Sequence, residues 1–157
     1  MIRFAALLAL LLPLAAHAGF DEGSEAYSVG DYARAMVEFK PAAEQGDPRA
    51  EYFVGFLYYR GYGVQKDFAE AAKWFGKAAA KGDSRSQYYV AKMNEKGEGA
   101  EKSLVQAHMW FTLSAKNAPN ARDAAYTREE IEKLERKMNP EQIASAKQLA
   151  SQWKPEK

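Results

Sequence analysis

Beyond its first eighteen residues the chain carries a single histidine, His108, and it has no cysteine anywhere. A two-histidine metal site or a nucleophile–histidine–acid triad needs more than that. In the repeat described below His108 takes the place of Met36 and Ala72, so it reads as a helix-surface or interface histidine. Without cysteine there are no disulfides, no thiol nucleophile and no thiolate metal site. Carboxylates abound, but most stand where helix caps and helical ion pairs use them, and no pair stands out by its spacing as a sugar-cleaving couple. The remaining candidate is the stretch "RGYGVQKD" at Arg60–Asp67, a glycine pair followed by a base. A phosphate cradle sets its glycines directly ahead of a helix N-terminus, usually with a Lys–Ser/Thr pair. Here they follow one helix and stop several residues before the next, which makes them a hinge. The inventory points to no catalytic residue, no metal and no cofactor.

The hinge recurs. Gly61 and Gly63 return 36 positions later as Gly97 and Gly99, and Trp74-Phe75 returns as Trp110-Phe111. Stepping back by the same interval, Asp67, Ala71, Phe75, Ala79 and Gly82 fall on Asp31, Ala35, Phe39, Ala43 and Gly46. A fixed period held over three passes marks a stacked array in which each unit covers its neighbour. Each unit reads as two helices. The first runs from about Asp47 to Arg60, with Asp47 as N-cap and Pro48 in the first turn. The second opens on Asp67, with Glu70 expected to reciprocate in a capping box, and stops at Gly82. In the third pass Ser103 and Gln106 take over those capping roles. Phe39, Trp74, Phe75, Trp110 and Phe111 are the predicted core.

After about Asn120 the residue types leave the period. "REEIEKLERKM" predicts a charged helix with Ile131, Leu134 and Met138 on one stripe and Glu129–Lys133 and Glu132–Arg136 as pairs on the wet side. Asn139-Pro140 opens a final helix. An atypical pair of this kind closes the end of an array.

The opening "MIRFAALLALLLPLAAHAGF" has a basic start, an apolar run from Phe4 to Ala16 and a small-x-small site at Ala16–Ala18. That is the layout of a secretory leader, and the run is shorter than the ~20 residues a spanning helix needs. Residues 1–18 are thus expected to be removed, leaving one domain over 19–157 and no stable membrane anchor. Arg3 leaves with them, so the 22 basic residues become 21, against 21 acidic ones. A net charge of zero with no basic block gives nucleic acid or an anionic membrane nothing to recognise. Within the domain, about 19–46 is a partial unit, 47–82 and 83–118 are repeats, and 119–157 is the cap.

The order Ala50-x-Tyr52, Val54-Gly55-x-Leu57-Tyr58, Gly61-x-Gly63-Val64, Asp67, Ala71, Trp74-Phe75-x-Lys77-Ala78-Ala79 and Gly82 resembles the Sel-one-like repeat, a 36-residue relative of the tetratricopeptide repeat. The next unit departs from it at Ala91, Asn94 and Ala100. The resemblance implies an all-α, right-handed α-solenoid of stacked antiparallel helix pairs that binds other proteins. It also implies adhesion, secretion, polysaccharide export or host contact for members in bacterial envelopes. Cysteine-rich relatives are linked to β-lactams, but their cysteine pairs are absent here.

Recognition is expected where the period does not dictate the residue. On the first helices these positions are Phe53, Phe56 and Arg60, then Tyr89, Lys92 and Lys96, with Tyr59 and Tyr62 extending the strip. An aromatic–basic strip suits an extended or helical partner segment of acidic character. The alternative is that Phe53 and Phe56 pack on a neighbouring helix. The expected function is a non-catalytic adaptor in the bacterial periplasm that binds a protein or peptide. Two alternatives stand beside it: a cell-wall-fragment or β-lactam binder or hydrolase using Glu51, Glu95 or His108, and a secreted effector acting on host proteins through the same surface.

Overall fold

The computed structural model describes residues 14–156, with side chains from 19 onward; most of the expected leader lies outside the described residues. Eight helices and no strand are found there: α1 (Leu14–Ser28), α2 (Tyr32–Glu44), α3 (Pro48–Arg60), α4 (Phe68–Ala80), α5 (Ser84–Lys96), α6 (Leu104–Asn117), α7 (Ala121–Glu135) and α8 (Pro140–Gln152). From α2 onward each opens on a side-chain cap: Asp31, Asp47, Asp67, Asp83, Ser103, Asn120 and Asn139. Each cap accepts a backbone N–H that the helix itself leaves unpaired. Glu70 does not complete the box expected at α4. Its carboxylate instead accepts from Trp74 Nε1 at 3.2 Å and Lys73 Nζ at 3.3 Å. The reciprocal box forms at α8, between Asn139 and Gln142.

The helices pair as α1–α2, α3–α4 and α5–α6, and each pair meets the next through α2–α3, α4–α5 and α6–α7. Phe39, Phe75 and Phe111 are almost completely buried, one per layer. A buried ring of this size removes ~150–250 Å² from water, several kcal/mol at about 25 cal/mol per Å² before entropy. Trp74 is buried as expected, whereas Trp110 is half-buried and meets Trp153 of the chain's last turn at 6.3 Å. The cap keeps step even though its residue types do not. The second helices begin at Tyr32, Phe68, Leu104 and Pro140, 36 positions apart throughout. α8, however, lies against α6, which α7 also covers. The wet-side pairing of α7 differs from expectation, since Lys133 binds Glu130 at 2.7 Å.

The first pair is a whole unit in disguise. Ser28 and Arg60 end corresponding helices 32 positions apart, and Phe20, Gly23 and Tyr27 correspond to Tyr52, Gly55 and Tyr59 at the same step. Phe20–Phe39 (5.6 Å) and Tyr52–Phe75 (6.0 Å) are matching contacts, as are Tyr27–Tyr32 (5.3 Å) and Tyr59–Phe68 (5.4 Å). The missing four residues come out of the connection, Val29–Asp31 in place of Gly61–Asp67.

The glycine pair does two jobs. Gly61 is the left-handed C-cap of α3, with φ 71°. Gly63, also at positive φ, lies so close to the start of α2 that a Cβ would run into the backbone of Tyr32 and Ala33. Gly99 meets Phe68 of α4 in the same way. Each loop is therefore seated on the second helix of the preceding unit. Gly63→Ala is expected to cost about 2–4 kcal/mol from positive φ and overlap together. Gly76, inside α4 with nothing near its missing Cβ, should gain about 0.5–1 kcal/mol as alanine. Urea denaturation of both variants checks the contrast in sign.

A polar tie also repeats, with changed chemistry. Glu51, 1% exposed, accepts from Lys81 Nζ at 2.6 Å, and Lys81 also reaches the Gly46 carbonyl at 2.9 Å. One period on, Asn117 donates to Gln87 Oε1 at 3.1 Å, and Gln87 Nε2 donates to the Ala79 carbonyl at 3.1 Å. Glu51 Oε2 has no such partner. An amide at position 51 would find the carbonyl of Ala43, one period before Ala79. Glu51→Gln should therefore hold or raise stability, by up to about 1 kcal/mol, whereas Glu51→Ala lowers it by about 2–3 kcal/mol. A denaturation midpoint of the glutamine variant well below the parent's would contradict this account of the tie.

Candidate functional site

The first helix of each unit contributes one row to a shared surface, and the rows are joined by rings. Phe53 lies flat on Phe39 at 4.7 Å and Tyr89 lies flat on Phe75 at 4.8 Å, both partners one period apart. These two positions thus belong to the repeat itself, which departs from the expectation that the period leaves them free. The packing alternative describes Phe53 best. Phe56 contacts Tyr27, Tyr62 and Tyr89 at 5.7–6.3 Å. Tyr62 stacks on Tyr32 at 4.6 Å, and Tyr59 meets Tyr89 at 5.3 Å. Phe53, Phe56, Tyr59, Tyr62 and Tyr89 are half-buried, while Phe39 and Phe75 beneath them are buried.

The charges of the strip divide. Arg60 is exposed, sits over the faces of Phe56 (5.7 Å) and Tyr62 (5.5 Å), and has no carboxylate in ion-pair range among the described residues. Lys96 stands 3.7 Å from Glu98. Lys92 is engaged, bonded to Glu95 at 3.1 Å and Glu130 at 2.9 Å. It therefore offers a partner no free cation, contrary to the expected basic strip. Its acceptor Glu130 comes from the cap, where the period gave no guide.

Four further residues extend the surface toward α7. Tyr52, Tyr88 and the well-exposed Tyr126 face one another across α3, α5 and α7, with Tyr88 and Tyr126 hydroxyls 3.4 Å apart. Arg85 lies over the Tyr52 ring at 4.1 Å. Burial pushes the Tyr52, Tyr88 and Tyr89 phenols above their ordinary value, so they act as neutral O–H groups. A signal was present in the sequence: Arg49 and Arg85 each follow a capping aspartate by two positions, and Tyr52 and Tyr88 share a register. The result is an aromatic face from Phe20 of α1 to Tyr126 of α7, with Arg49, Arg60 and Arg85 over its rings.

The sequence pattern of the Sel1 repeat matches residues 48–83 and 84–118. The chain carries two Sel1 repeats over those residues. Its array is similar to a protective antigen of uropathogenic Escherichia coli strains that displays an SLR fold, with a TM-score of 0.81 and 29% identity over 88% of this chain. It spans only 29% of that protein's length. A Sel1 repeat protein from Oxalobacter formigenes is similar at a TM-score of 0.62 and 28% identity, over 73% of this chain and 88% of that one. No curated protein matches.

The residues considered for hydrolysis lie in three separate settings of the Sel1 array. Glu51 is in the buried tie with Lys81. Glu95 is bound by Lys92 and Lys137. His108 is 1% exposed, with Nε2 at 2.8 Å from Glu135 and Nδ1 at 3.3 Å from Thr112 Oγ1. It is an interface histidine between α6 and α7, not a surface one, and its bond holds the Glu135 carboxyl below the ordinary value. No group of three or more histidine, aspartate and glutamate side chains among the described residues is placed to hold a metal ion.

Lys137, Glu95, Lys92, Glu130 and Lys133 form one chain of ion pairs linking α5 to α7 and the turn after it. Burial works against the Glu95 and Glu130 charges, but hydrogen bonds from their lysines outweigh it and set both carboxyls below the ordinary 4.5. Lys92 is raised above 10.5, its two acceptors outweighing burial in the same way. A depressed carboxyl stabilises fully above its unfolded value and loses this as pH falls through the folded one; a raised lysine contributes until pH climbs past its folded value. Lys92→Met should accordingly cost about 1–2 kcal/mol near pH 7. Thermal melts of variant and parent should converge as pH falls below 4.5.

Proposed function

We propose that this Sel1-repeat protein is a non-catalytic adaptor of the bacterial cell envelope that holds a segment of another protein against its aromatic face. The observation that carries it is the run of rings along four first helices, half-buried on α1, α3 and α5 and exposed at Tyr126 on α7. Aromatic residues with arginine are what dominate protein-binding surfaces energetically, because they offer large contact area at low entropic cost. Repeat arrays use extended faces of this kind to hold partners. Export is supported by the basic start, apolar run and small-x-small site of the first eighteen residues. Cleavage after Ala18 would shorten α1 and still retain Phe20, the first ring of the face. No helix among the described residues is long and apolar enough to cross a membrane.

The test is in-cell photo-crosslinking, with a photoreactive phenylalanine derivative replacing Arg60 or Tyr126 and, as control, the exposed Lys73 of the second helix α4. Adducts of one defined mass from 60 and 126 but not from 73 are expected, in an osmotic-shock extract. Adducts absent from both face positions would overturn the reading.

A further inference from the structure

The flat ring-on-ring contact is made twice and then stops. Phe39 carries Phe53 and Phe75 carries Tyr89, but no ring among the described residues lies flat on Phe111. One period after Tyr88 and Tyr89 stand Ala124 and Ala125. Between α5 and α7 a pocket of about 160 Å³ opens, walled in part by Tyr52, Tyr88, Tyr89 and Tyr126; Phe111, itself buried, is not part of its wall. A cavity of about 150 Å³ accommodates one benzene ring.

The pocket also has a cation to spare. Arg49, the counterpart of Arg85 one period earlier, is clamped on Asp47 by two bonds, 3.1 Å from Nε and 2.7 Å from an Nη, with the Phe20 ring beneath it at 4.2 Å. Arg85 makes a single 3.2 Å bond to Asp83 and is exposed. A guanidinium has five N–H donors, so most of those of Arg85 remain for a second carboxylate. Between the stacked Tyr52 ring and the pocket mouth it is held in place for a bidentate acceptor.

We propose that the pocket receives one aromatic side chain of an extended partner segment, while a carboxylate one or two residues along that segment binds Arg85. The guest ring packs among the tyrosines that α3, α5 and α7 present to the pocket. This rests on the aromatic-face reading above and gives that face a recognition rule, an aromatic residue beside an acidic one.

Capped nonapeptides that differ only at two central positions test the rule by titration into the purified ¹⁵N-labelled protein. Phe-Glu is expected to shift amides of α5 and α7, with Ala-Glu and Phe-Lys binding at least tenfold more weakly. Tyr126→Ala, a change at an exposed ring, should weaken Phe-Glu at least fivefold. Arg85→Gln should erase the preference for Phe-Glu over Phe-Lys while leaving the melting temperature within a few degrees. Equal binding of all three peptides, or shifts confined to other helices, overturns the proposal. So does phenylacetate binding as tightly as Phe-Glu, which would make this a small-molecule pocket. If adducts from position 60 persist in excess Phe-Glu peptide, the recognition rule falls and the aromatic-face reading stands. If positions 60 and 126 give no adduct at all, the reading itself has failed.

Discussion

Two layers of this molecule depend on a ring from one unit lying flat against a ring of the next. Phe39 with Phe53, and Phe75 with Tyr89, join the second helix of one pair to the first helix of its successor. The contact fixes the approach of two helices that share no backbone hydrogen bonds. It also leaves Phe53 and Tyr89 half-buried, whereas Phe39 and Phe75 are buried. The proposed partner surface and the interface that holds the array together are thus built from the same side chains. Rigid rings anchored on one face lose little freedom when the other face is covered, which favours tight association from a modest area.

The glycine loops enforce the same spacing from the other side. With no Cβ at Gly63 or Gly99, loop backbone rests directly on the start of α2 or α4. A solenoid whose units touch only their neighbours needs such devices, because no distant contact corrects a drift in register. The polar tie shows how much latitude remains: the same place holds a carboxylate with a lysine in one layer and two amides in the next. Position and reach are kept, and charge is free to change.

Much of this was legible in the residues. The caps, the 36-residue step and the buried phenylalanines followed from spacing alone, since each depends on chemistry within one unit. The first unit was half hidden because its connection is four residues short, so its first helix answers to a step of 32. A search at a single period passes over Phe20 and Tyr27. The stacked pairs were obscured differently: Phe53 and Tyr89 are the same position, but phenylalanine in one and tyrosine in the other read as free variation. Lys92 and His108 take their surroundings from Glu130 and Glu135 of α7. Those partners come from a segment whose residue types follow no period, so nothing local announced them.

The short connection between α1 and α2 has a further effect. In the later units a longer loop receives the second helix of the unit before it. Val29–Asp31 has too few residues to offer that seat. At the opposite end α8 already occupies the flank of α6. The joint that links the later units is therefore not offered by the first connection, and on α6 its place is taken by a helix of the same chain, so the described stack carries two unlike flanks.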